Sequence, residues 1–179
     1  MTGTPSWPST LSKIVVTSGN TIPKGFFSYL PSTVTNIQFA ENIVEVGENA
    51  FAGADVGLIL PTTVKIIGSY AYSSLGYLGD EITLHEGLET IGAWAFQSTT
   101  FKTINLPGTL TSIGRAVFGS SGGSNNTLKK INFNGTKAKW LSIIHSEWSY
   151  GMGYNYDVEC TDAIYHRSLY DSETGWTDK

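Results

Sequence analysis

Cysteine, charge and long apolar runs are all scarce in this chain, and each scarcity removes a class of function. A single cysteine, Cys160, among 179 residues excludes an internal disulfide and a four-thiolate zinc site, and leaves a redox role without a resolving partner. Eleven Lys and Arg stand against 15 Asp and Glu, for a net charge of −4, and only 15% of residues are charged where about 25% is usual. With no run of like charge, the chain lacks the basic footprint needed for nucleic acid or an anionic membrane surface. No window approaches the roughly 18 apolar residues of a membrane span, so no membrane insertion is expected. Residues 1–13 hold no basic stretch leading into an apolar one, so no signal peptide is expected, and an exported parent protein would be trimmed or use another route.

Catalytic signatures are scarce too. His85, His145 and His166 are far apart and form no H-E-x-x-H or Cys/His spacing, so no metal and no cofactor is expected. His85-Glu86 reads as an exposed turn pair. There is no G-x-S-x-G elbow or Walker loop. The glycine-rich stretch from Gly119 to Asn126 lacks the Lys and strand-to-helix setting of a phosphate loop, and reads as a flexible insertion. The expectation is that the chain is not an enzyme.

What the sequence has instead is a period. Val46-Gly-Glu-Asn-Ala-Phe51 recurs as Ile67-Gly-Ser-Tyr-Ala-Tyr72, Ile91-Gly-Ala-Trp-Ala-Phe96 and Ile113-Gly-Arg-Ala-Val-Phe118, with a degenerate copy at Ile22-Pro-Lys-Gly-Phe-Phe27. First residues are 24, 21, 24 and 22 apart. Nine residues before each clear copy begins an apolar-x-apolar block: Ile37-Gln-Phe39, Leu58-Ile-Leu60, Ile82-Thr-Leu84 and Ile104-Asn-Leu106. Ile14-Val-Val16 and Ile131-Asn-Phe133 extend the series at its two ends, giving about five repeats and the start of a sixth.

Period-two apolar blocks are short strands with one buried face, and one strand per coil stacks into a parallel sheet. Pro61 and Pro107 follow the blocks, where a missing N–H and a fixed φ stop the ladder. The Gly after each Ile or Val is expected to allow a tight turn, and Ala followed by Phe or Tyr points inward on the far side of the coil. A coil of this length buries no core alone, so each inward column depends on its neighbours and the ends need caps. The fold class is therefore a repeat solenoid. Its compact-sphere burial of about 70% is an upper bound for an elongated stack.

With these residues the repeat resembles the BspA-type (treponemal) leucine-rich repeats, whose units run close to L-x-x-I-x-L-P-x-x-L-x-x-I-G-x-x-A-F. Ile82 to Phe96 and Ile104 to Phe118 match most closely, and the resemblance covers roughly residues 14–133. The chain departs from the pattern at Ala40 and His85, which replace the Pro, and at Val117, which replaces the Ala. The cysteine that often follows Ala-Phe is absent from every copy. The resemblance implies a leucine-rich-repeat stack with a parallel β-sheet of short strands. It also implies a carboxy-terminal α+β cap, matched by Gly135-Thr-Lys-Ala-Lys-Trp140 and Cys160-Thr-Asp162, with Thr136 as helix N-cap and Trp140, Ile143 and Ile144 facing inward. Cys160 then reads as a buried strand residue, with no basic neighbour in sequence to activate it. The organisation expected is an extension over 1–13, repeats over 14–133, and cap with tail over 134–179.

The resemblance further implies binding or adhesion without chemistry, on a cell surface or a virion and outside the cell. On the sheet, one outward column reads Gln38, Ile59, Thr83, Asn105 and Asn132, and the flanking one reads Asn36, Gly57, Glu81, Thr103 and Lys130. These amides and hydroxyls suit a protein backbone or a glycan, and equally suit simple solvation of a sheet face. Tyr70 and Trp94 share one variable position in successive coils between Asn49 and Ala116, so they form an exposed pair and not a longer platform. The run Trp148, Tyr150, Tyr154 and Tyr156 reads as cap core, and Tyr170 and Trp176 lie in an aperiodic tail. The expected partner is a protein or glycan ligand, engaged through multivalent display or an oligomer. Two other readings compete: a structural or receptor-binding component of a phage virion, suggested by a short chain starting at Met1 without a signal peptide, and a carbohydrate-binding module.

Overall fold

The computed structural model describes residues 6–76, 78–120, 127–144, 147–150 and 156–166. Tyr77, the loop core 121–126, His145, Tyr154, Tyr170 and Trp176 lie outside them. The chain winds as a parallel β-solenoid whose coils have three hydrogen-bonded sides.

The first side is the sheet expected from the apolar-x-apolar blocks, but in two pieces. Strand β1 (Lys13–Val15) pairs with β3 (Asn36–Gln38). Farther along, β6 (Glu81–Thr83), β8 (Thr103–Leu106), β10 (Lys130–Phe133) and β11 (Asp157–Glu159) pair in parallel. The antiparallel strand β12 (Ile164–His166) closes that edge. The register aligns Glu81, Thr103 and Lys130, and Thr83, Asn105 and Asn132, as the outward columns require.

Leu58 to Leu60 form no strand, which corrects the expectation of one continuous sheet. The connector from Phe51 to Leu58 is seven residues, against ten from Phe27 to Ile37 and ten from Tyr72 to Ile82. This is the shortest such connector, one residue below the eight from Phe96 to Ile104, and the segment pairs with neither neighbouring strand. Tyr72 stabilises the displaced backbone by donating its hydroxyl to the Ile59 carbonyl at 2.7 Å.

The second side was not anticipated as a sheet. Two-residue strands at the Ile/Val-Gly blocks, β2 (Thr21–Ile22), β4 (Glu45–Val46), β5 (Ile66–Ile67), β7 (Thr90–Ile91) and β9 (Ser112–Ile113), pair in parallel through all five coils. The glycines that follow serve close approach and not a turn, which is a second correction. A Cβ on Gly92 would lie 2.5 Å from the Ser69 amide nitrogen, and one on Gly114 would lie 2.5 Å from that of Ala93. Pro23 stands at the equivalent place in the first coil, where no earlier coil lies against it.

The third side is a backbone ladder through the Ala-aromatic segments. The amides of Phe27, Phe51, Tyr72 and Phe96 donate to the carbonyls of Ala50, Ala71, Ala95 and Val117 in the next coil, at 2.7 to 2.9 Å. The rings stack inside it: Phe27–Phe51 at 5.0 Å, Phe51–Tyr72 at 5.3 Å, Tyr72–Phe96 at 5.5 Å and Phe96–Phe118 at 6.0 Å, all near parallel. Trp7 continues the column at the amino end, 6.1 Å from Phe27, with its indole N–H on the Ser28 carbonyl. That Trp7 belongs to the repeat core was missed, because it carries no repeat spacing.

The carboxy end imitates one more coil. After β10, Thr136 caps helix α1 (Lys137–Ile143) by accepting from the Lys139 amide, and Trp140 and Ile143 are buried as expected. Ile144, half-buried, bridges Ile113 and so extends the second side, while Ala116 donates to Glu147 and extends the third. Asp162 accepts from the Lys137 amide, tying the β11–β12 hairpin to the helix start. Cys160 is half-buried and sits just beyond β11 in that hairpin, so its placement inside a buried strand is corrected.

Glu86 is a staple across coils and more than an exposed turn residue. Its Oε1 accepts from the Gly108 amide at 3.2 Å and from Asn134 Nδ2 at 2.7 Å. The Asn134 bond first, and the backbone bonds after it, hold its carboxyl below the usual glutamate range.

Two outcomes follow from this packing. Replacing Phe96, which is fully buried, with Ala should cost about 3–5 kcal/mol in denaturant melts, and a loss under about 1 kcal/mol would contradict the inward column. For Glu86 the folded-state pKa is depressed, so its contribution is present above the ordinary glutamate pKa and is lost as pH falls through the lower folded value. The stability gap between wild type and Glu86→Gln in urea should therefore be open at neutral pH and closed in acid; a gap independent of pH would contradict the staple.

Candidate functional site

The variable position two residues before each core aromatic is held in the left-handed region throughout the stack. Gly25 has φ +63°, Asn49 +56°, Tyr70 +57°, Trp94 +59° and Ala116 +50°. The third-side ladder dictates this, since the chain must turn between the second sheet and the inward Ala. Gly and Asn suit such a backbone, whereas a bulky side chain there is strained by about 1 kcal/mol or more. Tyr70 and Trp94 are therefore residues that the fold does not ask for.

The two rings are half-buried and parallel, with centroids 6.2 Å apart and planes 8° from each other. Their neighbours make the pair longer than expected. Tyr150, read as cap core, is 56% exposed and sets its ring 5.9 Å from Trp94 at 83°. Arg115 places its guanidinium 5.9 Å from the Trp94 centroid and 5.0 Å from that of Tyr150, and its Nε lies 2.8 Å from Glu147. Gly119 makes room for this cluster: a Cβ there would come within 3.2 Å of the Trp94 ring and 2.4 Å of the Tyr150 carbonyl. The result is a patch of three rings and a cation on the turn side of the coils. Ala116 does not end it, because Tyr150, beyond α1, reaches the Trp94 ring. Trp148 and Tyr156, by contrast, are buried.

The sheet-face columns behave differently. Asn36, Gln38, Glu81 and Thr83 are exposed, whereas Thr103, Asn105, Lys130 and Asn132 are half-buried. Ile59 is half-buried and stands in no strand, so its place as the exposed apolar member of a regular column is corrected. Several members bond to one another, among them Asn105 to Glu81 and Thr83, and Asn132 to Asn105.

Other reactive groups lie outside this patch, and His85 is half-buried. His85 Nδ1 lies 2.9 Å from the Glu86 carbonyl. Burial, and then the Asp162 carboxylate, push the Cys160 thiol up to about 11, which keeps it protonated and weakly nucleophilic at neutral pH. Among the described residues, no group of three or more His, Cys, Asp or Glu is placed to hold a metal, and no helix is long and apolar enough to cross a membrane.

If strain and exposure are read correctly, Trp94→Asn, which copies Asn49 of the second coil, should melt within about 1 kcal/mol of wild type, two residues from a position whose truncation is severe. A loss as large as that of Phe96→Ala would make Trp94 a core residue.

No curated protein matches the chain. Among solved structures, a leucine-rich cell surface protein from Faecalibacterium prausnitzii A2-165 is similar, at 14% identity and a TM-score of 0.38, over 75% of this chain and 62% of that one. The chain thus spans less than two thirds of that protein's length. The model of the BspA-type leucine-rich repeat region matches in six copies, over residues 8–123 and 55–142. With its stacked coils, Ile-Gly approach points and Ala-aromatic columns, the chain belongs to the BspA-type leucine-rich repeat family.

Proposed function

We propose that this chain is a non-catalytic binding and adhesion module that recognises a protein ligand at a cell surface through the aromatic patch of Tyr70, Trp94 and Tyr150. The observation that carries this reading is the strained placement of Tyr70 and Trp94, where the same coil geometry in neighbouring repeats is met by Gly25 and Asn49. Strain kept against local preference points to use. In this reading residues 14–133 form the array that displays the patch, and 134–179 hold the cap and tail, with the Gly135 to Asp162 segment as the family's closing cap.

Ring orientation favours a protein over a sugar at this patch. Tyr70 and Trp94 stack face to face along the solenoid, and Arg115 covers the side of Trp94 toward the next coil. One face of each ring is therefore closed by the other, and Arg115 lies over Trp94 as well. Sugars pack on open ring faces, whereas protein interfaces use Trp, Tyr and Arg as anchors. The non-catalytic reading is supported by the repeat family and by the local engagement of Glu86 and the protonated state of Cys160. The leucine-rich cell surface protein noted above is consistent with a surface location, and multivalent display would raise a modest affinity per copy.

The test is retention on immobilised extracellular matrix proteins and glycans, with monomeric protein so that avidity does not mask a loss. A Tyr70→Ser/Trp94→Asn double variant should weaken capture by about tenfold or more, while Gln38→Lys/Thr83→Lys on the sheet face should not. The reverse pattern would move the protein-binding site to the sheet.

A further inference from the structure

Between β10 and α1 the chain reads Asn134-Gly135, the one place in the sequence where asparagine precedes glycine. Packing asks for both residues. Asn134 Nδ2 donates to Glu86 Oε1 at 2.7 Å, and the same oxygen accepts from the Gly108 amide, so three successive coils meet on one carboxylate. Gly135 has no room for a side chain. A Cβ there would lie 2.5 and 2.7 Å from two atoms of the Phe133 ring, which is itself buried and cannot give way.

The pair that packing selects is chemically labile. The amide nitrogen that follows an asparagine can attack the side-chain carbon Cγ, and the usual protection is a side chain on the attacking residue or a hydrogen bond on its N–H. Gly135 has neither. It carries no Cβ, and its N–H has no hydrogen-bond partner among the described residues, while its carbonyl accepts from the Thr161 amide at 3.0 Å. Asn134 is exposed, so solvent reaches the site.

We propose that Asn134-Gly135 is a site of spontaneous deamidation, which turns a staple between coils into two opposed carboxylates. The Gly135 nitrogen gives its proton to solvent base and attacks Asn134 Cγ. The new C–N bond closes a succinimide ring as the Cγ–Nδ2 bond breaks and ammonia leaves. Water, the co-reactant, then adds to either carbonyl of the ring and reopens it, leaving aspartate or isoaspartate at position 134. Ring closure expels the nitrogen that Glu86 holds, so this hydrogen bond must be given up and slows the step. Afterwards a carboxylate stands where the donor stood, and like charges at that distance oppose each other. Isoaspartate also lengthens the backbone just before Thr136, the N-cap of α1.

Peptide mapping by mass spectrometry, on the full chain stored at neutral and at mildly alkaline pH, tests this. Conversion should appear at residue 134 ahead of every other asparagine, Asn125 and Asn126 included, and should accelerate with pH as deprotonation of the attacking nitrogen requires. It should run about two- to tenfold faster in Glu86→Ala, which frees the amide from one hydrogen bond. Asn134→Gln, whose amide carbon lies one bond farther out, should resist. Asn134→Asp, which carries the charge of the product, should unfold at lower urea than wild type at neutral pH, with the difference closing in acid as both carboxyls protonate. Residue 134 intact in the folded chain while it converts in urea would overturn the proposal, as would a rate unchanged in Glu86→Ala or an Asn134→Asp variant as stable as wild type at neutral pH. Urea melts of the aged wild-type fraction make the same reading should Asn134→Asp fail to fold.

Discussion

Everything in this molecule is referred to the aromatic column that runs from Trp7 to Phe118. One ring per coil, stacked at 5.0 to 6.1 Å, joins the coils along their length, and the third-side backbone ladder beside it keeps successive coils in register. The column also makes the neighbouring rules intelligible. An inward residue just before each ring is small in the middle coils, where Ala50, Ala71 and Ala95 are fully buried, and Val117 takes that place in the fifth coil. Phe26 can fill that place in the first coil, where it is 45% exposed and packs edge-on to Phe27, because no earlier coil crowds it. Pro23 is tolerated for the same reason.

The column also shows how the array absorbs irregular coil lengths. The sides built on the Ile-Gly and Ala-aromatic segments run through every coil, whereas the first sheet breaks where the connector from Phe51 is shortest. Length variation is thus confined to one side. Leu58 and Leu60 stay half-buried where Ile82, Leu84, Ile104 and Leu106 are buried. The core loses part of one layer there, and the Tyr72 hydroxyl becomes a support for the displaced backbone.

Function resides at positions that this packing leaves undetermined. The strained position before each Ala-aromatic pair must adopt φ near +60°, yet its side chain is only half-buried at Asn49, Tyr70 and Trp94, so the two aromatic residues can stand there at a modest cost. Outward sheet positions are similarly free, and a single carboxylate at Glu81 is enough to orient two amides down the stack. In both places a property of one coil is passed to the next by register, which is what lets a repeat build a composite surface.

The sequence by itself determined the coil. Its period, its inward Ile, Ala and aromatic positions and the alignment of the outward columns over β6, β8 and β10 could be read from spacing and residue type, because each is a local pattern repeated until it is unambiguous; the Thr136 cap is a single local motif that needs no repetition. Tertiary structure decided what non-repeated residues contribute. Trp7 as the first ring of the column, Tyr150 beside Trp94, and Glu86 reaching Gly108 and Asn134 are encounters between positions with no shared period. The role of the Ile-Gly glycines was hidden for a related reason: close approach is a property of two coils together, and a single repeat offers only the glycine. The direction of the hydrogen bonds from Asn132 to Asn105 and on to Glu81 belongs here as well, since an amide has no inherent orientation and acquires one only from the neighbours that the fold places around it.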